Sequence, residues 1–349
     1  MKRLTVSEGD IDAAASQGLI PVGSTQPLWS FLQERTTQRQ SDPASGESPF
    51  TFSSLSWYSG GVVLLLAMFW LDAQFWETWN GGAMALITAL YTGAFAVAGA
   101  KLWKTDQLRI PGGVSITLAA SITPLLVLAV ERMLGLWSID LDWRASYGLE
   151  MSLMGTLAVS SIIALRSYKF PLLTLPLTLG LMGLAYEANR LLGTTGTHII
   201  EEHFMLAVGL LVITGAFIAG RSAKESFTFW PYTLGALTFW LAFTSIFGWA
   251  GSEGSMLFYA VCNVAMMLAS VLLSRRIFVV LGAIGAVGYL SHLAWTVFAG
   301  SMLFPVVLSL FGVGVIWGGV VYHRNQAAID AAILGLVPSG LQKYLPARD

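Results

Sequence analysis

The stretch EHFMLAVGLLVITGAFIAG, residues 202–220, runs directly into RSAK, residues 221–224. No charge falls between His203 and Arg221. A helix of about 20 residues rises about 30 Å, the thickness of a bilayer's hydrocarbon layer, so a run of this length reads as a membrane crossing. Arg221 and Lys224 then close it with positive charge, as spans do on reaching a cytoplasmic surface.

The same unit recurs along the chain. Spans are expected near 55–74, 81–103, 112–136, 147–165, 171–190, 202–220, 229–248, 254–273, 277–299 and 302–322. The expected fold class is all-α: a polytopic transmembrane helical bundle of about ten spans with both termini cytoplasmic. If the first residues lie inside, only Arg132, Arg144 and Arg190 of the 19 basic residues fall outside. A missed or invented span would scramble that alternation from its position onward. Trp76, Trp79, Trp137, Trp143 and Trp249 fall at outer ends, and Trp103 and Trp230 at inner ends, where interfacial anchors belong.

Composition agrees. Hydrophobic residues are 55% and charged residues 11% of 349, too apolar for an ordinary soluble domain. A net charge of −1 without a basic cluster argues against a nucleic-acid partner. Cys262 is the single cysteine, so no disulfide framework or cysteine metal site forms within one chain. Lys2 and Arg3 are followed by Glu8, Asp10 and Asp12 where a signal peptide would be apolar, so a retained polar N-terminus is expected.

Three regions follow. Residues 1–50 form a cytoplasmic head, with short helices over Ser7–Gln17 and Gln26–Thr37 separated by Gly18-Leu19-Ile20-Pro21, then a linker at 40–49. Residues 51–323 form the bundle. Residues 324–349 form an interfacial tail, with Ile329, Ile333 and Leu336 on one helical stripe. Two inner turns are close copies, Arg166-Ser167-Tyr168-Lys169 and Arg221-Ser222-Ala223-Lys224, which hints at repeated hairpins.

Charges within membrane helices are costly and so mark candidate sites. They gather at the outer side: Glu131 and Arg132 end span 3, Glu150 opens span 4, Glu187 and Arg190 end span 5, and Glu202 and His203 open span 6. His292 in span 9 reaches a similar height. These eight residues are the expected lining of an outward-facing pocket for a cation or proton, with Arg132 or Arg190 as counter-ion to Glu187. The same charges also fit helix ends that snorkel to headgroups or pair across helices to fix packing.

His198-Ile199-Ile200-Glu201-Glu202-His203 has an extra acidic residue relative to the zinc-binding spacings, so no metal is expected. No phosphate loop, nucleophile elbow or cofactor motif appears, and no catalytic constellation marks an enzyme. Gly314 and Gly318 in span 10, and Gly282, Gly285 and Gly288 in span 9, read as close-packing positions. Pro124 in span 3 interrupts a backbone hydrogen bond at mid-membrane.

Gly18-Leu19-Ile20 with its following helix, Ile110-Pro111-Gly112-Gly113, Gly288-Tyr289-Leu290-Ser291-His292-Leu293-Ala294, Leu303-Phe304-Pro305 and the closing Leu341 to Pro346 resemble a family of bacterial multi-pass inner-membrane proteins known only as a domain of unknown function. The resemblance implies a bacterial inner membrane and supplies neither substrate nor catalytic residue. The leading functional expectation is a small-solute or ion transporter or channel. The alternative is a membrane scaffold or sensor that binds a cytoplasmic or membrane protein partner through its head and C-terminal helix. The bilayer itself is the one partner every version shares.

Overall fold

The computed structural model describes residues 25–40, 52–75, 80–137, 143–191, 198–221, 225–248, 252–273 and 275–293, with isolated positions from 11 to 23 and from 306 to 324. The tenth expected span, the linker, the tail, Trp76, Trp79, Trp249, Lys224 and the His198 side chain lie outside the described residues, as does most of the first head helix.

The described residues are helices joined by short turns, without a strand among them. The helices are α1 (Thr25–Gln40), α2 (Phe52–Phe75), α3 (Gly81–Trp103), α4 (Arg109–Met133), α5 (Trp143–Tyr168), α6 (Thr174–Leu191), α7 (His198–Ala219), α8 (Glu225–Phe247), α9 (Glu253–Leu273) and α10 (Arg276–His292). From α2 onward they overlap nine of the ten expected spans, though α4 ends at Met133 where the span was expected to run to 136, and α10 at His292 where it was expected to run to 299. Six stretches are long and apolar enough to cross a membrane: Gly81–Leu102, Asp106–Met133, Ser146–Tyr168, Pro171–Leu191, Glu201–Ala219 and Glu253–Ser270. Ser56–Leu71 and Arg276–His292 are shorter apolar stretches. Helix α8 also has spanning length; it packs against α6, α7, α9 and α10 and is the central helix of its half.

Helices α3–α4, α5–α6, α7–α8 and α9–α10 form four antiparallel hairpins, each closed at a basic turn. Close crossings hold each pair. A Cβ on Gly112 would meet Trp103 N at 2.8 Å, one on Gly180 would meet Ala158 N at 2.7 Å, and one on Gly235 would meet Gly209 O at 3.1 Å. Without water to drive helices together, such backbone approach is the main source of association inside a bilayer. Helix α4 plays the central part in the first half, touching α2, α3, α5 and α6, and α6–α8 contacts join the halves.

Both apolar cores lie toward the basic turns. One gathers Val114, Ile116, Leu118 and Ala120 of α4 with Phe170 and Leu173, and the other gathers Ala216, Tyr232, Ala236, Phe278 and Leu281. Large apolar side chains also face outward: Trp70 is 73% exposed, Leu211 70% and Leu90 64%. An apolar exterior of this extent is inverted relative to a soluble protein and matches a lipid-facing surface.

Pro124 lies inside α4, so Ala120 O lacks its usual N–H donor four residues on. Ser160 of α5 donates its hydroxyl to that oxygen at 3.1 Å. The proline thereby becomes an interhelical tie. Ser160→Ala is expected to lower stability by about 0.6–1.5 kcal/mol, the range of hydrogen bonds between membrane helices. In a Pro124→Ala background the loss should shrink, since the substituted residue would supply the missing N–H; chemical unfolding in mixed micelles measures both.

Candidate functional site: the acidic helix ends

The helix ends opposite the basic turns carry the charges singled out in the sequence. On α5, Tyr147 and Glu150 are one turn apart and face α6; on α6, Tyr186, Glu187 and Arg190 share one side. Gly180 and Gly183, the latter against Met154, let the two helices approach closely enough for these groups to meet. Arg190 Nη1 lies 2.9 Å from Glu150 Oε2 and 3.1 Å from Glu187 Oε2. Its guanidinium carbon sits 3.8 Å above the Tyr147 ring centroid and 5.6 Å from that of Tyr186.

One guanidinium thus serves two carboxylates, with its face covered by aromatic rings that attract cations. Glu187 is buried and its partners are part-buried, with side-chain exposures of 25% for Arg190 and 33% for Glu150. With both carboxylates ionised, the trio would carry one negative charge in excess. Arg190, not Arg132, is the counter-ion to Glu187.

Glu131 adds a second acidic centre on the other side of α5. It is 8% exposed and accepts hydrogen bonds from Trp137 Nε1 at 3.0 Å and from the Ser152 hydroxyl. Gly135, at φ +73°, makes the turn that folds Trp137 back over it. Both donors are neutral. A buried carboxylate in the last turn of a helix also faces the negative end of the helix dipole, which disfavours it there. Helix α5 therefore bridges the two centres, offering Ser152 to α4 and Glu150 to α6.

The remaining expected residues are held elsewhere. Arg132 donates to Met84 Sδ at 3.9 Å, across to α3. Glu202 accepts from Ser245 within the α7–α8 hairpin, beside an exposed His203. His292 pairs with Glu253 at 3.2 Å within α9–α10. Among the described residues no three His, Cys, Asp or Glu side chains gather in a metal-holding group. The eight residues thus divide among separate contacts, and the densest is Glu150–Arg190–Glu187.

Sequence reading missed Asn263. It sits at the middle of α9, is 1% exposed, accepts from Trp240 Nε1 at 3.0 Å and donates to Tyr259 O at 2.8 Å. Tyr259 OH and Thr244 Oγ1 are 3.0 Å apart just above. A lone asparagine centred in an apolar run was the available signal, since a polar amide at that depth needs partners on neighbouring helices. Tyr147 was missed as well, because nothing in its own surroundings announces a cation partner forty-three residues away.

Six helices long and apolar enough to cross a membrane, with a largely apolar exterior, fit an α-helical protein of the membrane-embedded class. Beyond that class, no family model, curated protein or solved structure matches it.

Proposed function

We propose that the chain is a ten-span protein of a bacterial inner membrane, with both termini cytoplasmic, that moves a proton or small cation through a site at its outer face. The orientation is supported by the basic turns, which all fall at one end of the four hairpins; the resemblance noted above supports the bacterial membrane. The transport reading is carried by one observation: a single guanidinium, Arg190, is shared by two carboxylates, Glu150 and Glu187, in a part-buried cluster, so that with both ionised one negative charge is left over. One proton or one monovalent cation neutralises that charge, and intramembrane charges left in this state are characteristic of ion and proton pathways. Glu131, held only by neutral donors, offers a neighbouring carboxylate across α5.

Purified protein in liposomes is expected to carry proton, sodium or potassium flux that Glu187→Gln abolishes. Absence of flux for all three ions in the wild-type protein would contradict the proposal. A scaffold role keeps one supporting feature, the apolar side chains Leu19 and Phe31 exposed on the head at 73% and 53%. Under that reading, deletion of residues 1–50 removes the cellular phenotype and Glu187→Gln leaves it intact.

A further inference from the structure

The basic ends of the two halves differ in what their cations touch. In the second half the protein itself engages them: Arg275 donates to Thr228 Oγ1 at 2.7 Å and lies 5.0 Å over the Tyr232 ring, and Arg221 lies 5.4 Å over that of Phe217. In the first half Lys101, Lys104, Arg166 and Lys169 are all exposed, and none of the four meets a carboxylate among the described residues. Arg109, at the same end, already pairs with Asp106 at 2.7 Å.

One corner of the fold collects these four cations. The start of α4 is the wedge between them: Gly112 lies against Trp103 N of α3, and Gly113 against the Phe170 ring in the turn after α5. Trp103 meets Tyr168 edge-on with ring centroids 5.7 Å apart, and Phe170 at 6.0 Å. Lys104 and Lys169 directly follow those first two rings in the chain. Lys169 takes φ +42°, a left-handed conformation in which glycine is less strained, so its charge is carried there against a backbone cost.

Each helix also leads into its charges along an exposed apolar stripe. On α3 Leu90 and Val97 precede Lys101 and Lys104, and on α5 Val159 and Ile163 precede Arg166. Helical spacing keeps each series on one face. An apolar stripe that ends in positive charge, beside aromatic rings at interfacial depth, complements an amphiphile with an anionic head.

We propose that the basic ends of α3 and α5 form a docking surface for anionic phospholipid, with the headgroup at Lys104 and Lys169 and the acyl chains along the stripes that lead to Lys101 and Arg166. The surface rests on the membrane-embedded fold and not on the transport reading, so Glu187→Gln should leave it unchanged.

Native mass spectrometry of the full chain in detergent, titrated with phosphatidylglycerol or with phosphatidylcholine of the same acyl chains, tests the surface. Phosphatidylglycerol should bind about tenfold more tightly, the scale expected of two cations at a membrane surface. Lys104→Gln combined with Lys169→Gln should reduce that preference to about twofold. Arg276→Gln, which removes an exposed cation from the basic end of the other half, should leave it near tenfold. Lys169→Gly, which relieves the backbone while removing the charge, should lower the preference without lowering stability, and so separates lipid binding from folding. Equal affinity for the two lipids, or a preference that survives the double variant, would overturn the proposal. So would displacement of the lipid by millimolar inorganic phosphate, which assigns the site to a soluble anion. A preference that emerges only when residues 1–50 are deleted would overturn it too, since the acidic side chains of the head would then be the occupant.

Discussion

Replacing Arg190 with methionine is expected to lower the unfolding free energy by about 2–3 kcal/mol, the largest loss of any single charge among the described residues. Breaking a buried ion pair from one side costs about 3–5 kcal/mol, because the abandoned charge remains without compensation. Here two carboxylates are abandoned together, 2.9 and 3.1 Å from the missing guanidinium, but the part exposure of Arg190 and Glu150 reduces the figure. The cause can be separated from lost packing by removing the carboxylate charges as well. A triple variant, Glu150→Gln, Glu187→Gln and Arg190→Met, should recover more than half of the loss in the same mixed-micelle unfolding measurement. If the triple variant is no more stable than Arg190→Met alone, charge compensation is not what Arg190 provides.

The second large effect concerns the centre of the second half. A Cβ on Gly285 would fall within the space of the Asn263 amide, and that amide is fixed on one side by Trp240 and on the other by Tyr259 O. Gly285→Ala should therefore cost about 2 kcal/mol, as overpacking of a tight interior does. Asn263→Ala alone should cost about 1–2 kcal/mol by leaving the Trp240 N–H without its acceptor. Together they should cost less than the sum by at least about 1 kcal/mol, because the first alanine occupies room the second vacates. Additive losses would mean that α10 does not sit against Asn263.

The approximate position of the helices from α2 to α10 was legible in the sequence because an apolar crossing is dictated by length and charge exclusion, both local properties. Residues 81–103 were delimited to the residue, and α9 differs from its expected range by one. Ends rich in polar residues were less legible: α5 begins at Trp143 and not 147, since Arg144 and Ser146 continue the helix without being apolar. The placement of the charged residues at the open helix ends was legible, but not which of them meet. Glu131, Glu150, Glu187, Glu202 and His292 all stand at one end of their hairpins, as counting rise per residue predicts. Which of them meet is decided by helix rotation and crossing, set by Gly180 against Ala158 and Gly209 against Gly235, and nothing in the surroundings of a carboxylate reports that.

The most direct test of the account is the side of the membrane reached by single cysteines placed at hairpin ends, in a Cys262→Ser background. Gly254→Cys, where an added Cβ meets open space, and Leu136→Cys, 44% exposed, mark the acidic ends; Lys104→Cys and Arg221→Cys mark the basic turns. In intact cells a membrane-impermeant maleimide should label the first two, and the last two only after the membrane is permeabilised. Equal labelling of both sets in intact cells would contradict the membrane-crossing hairpins on which everything else is built.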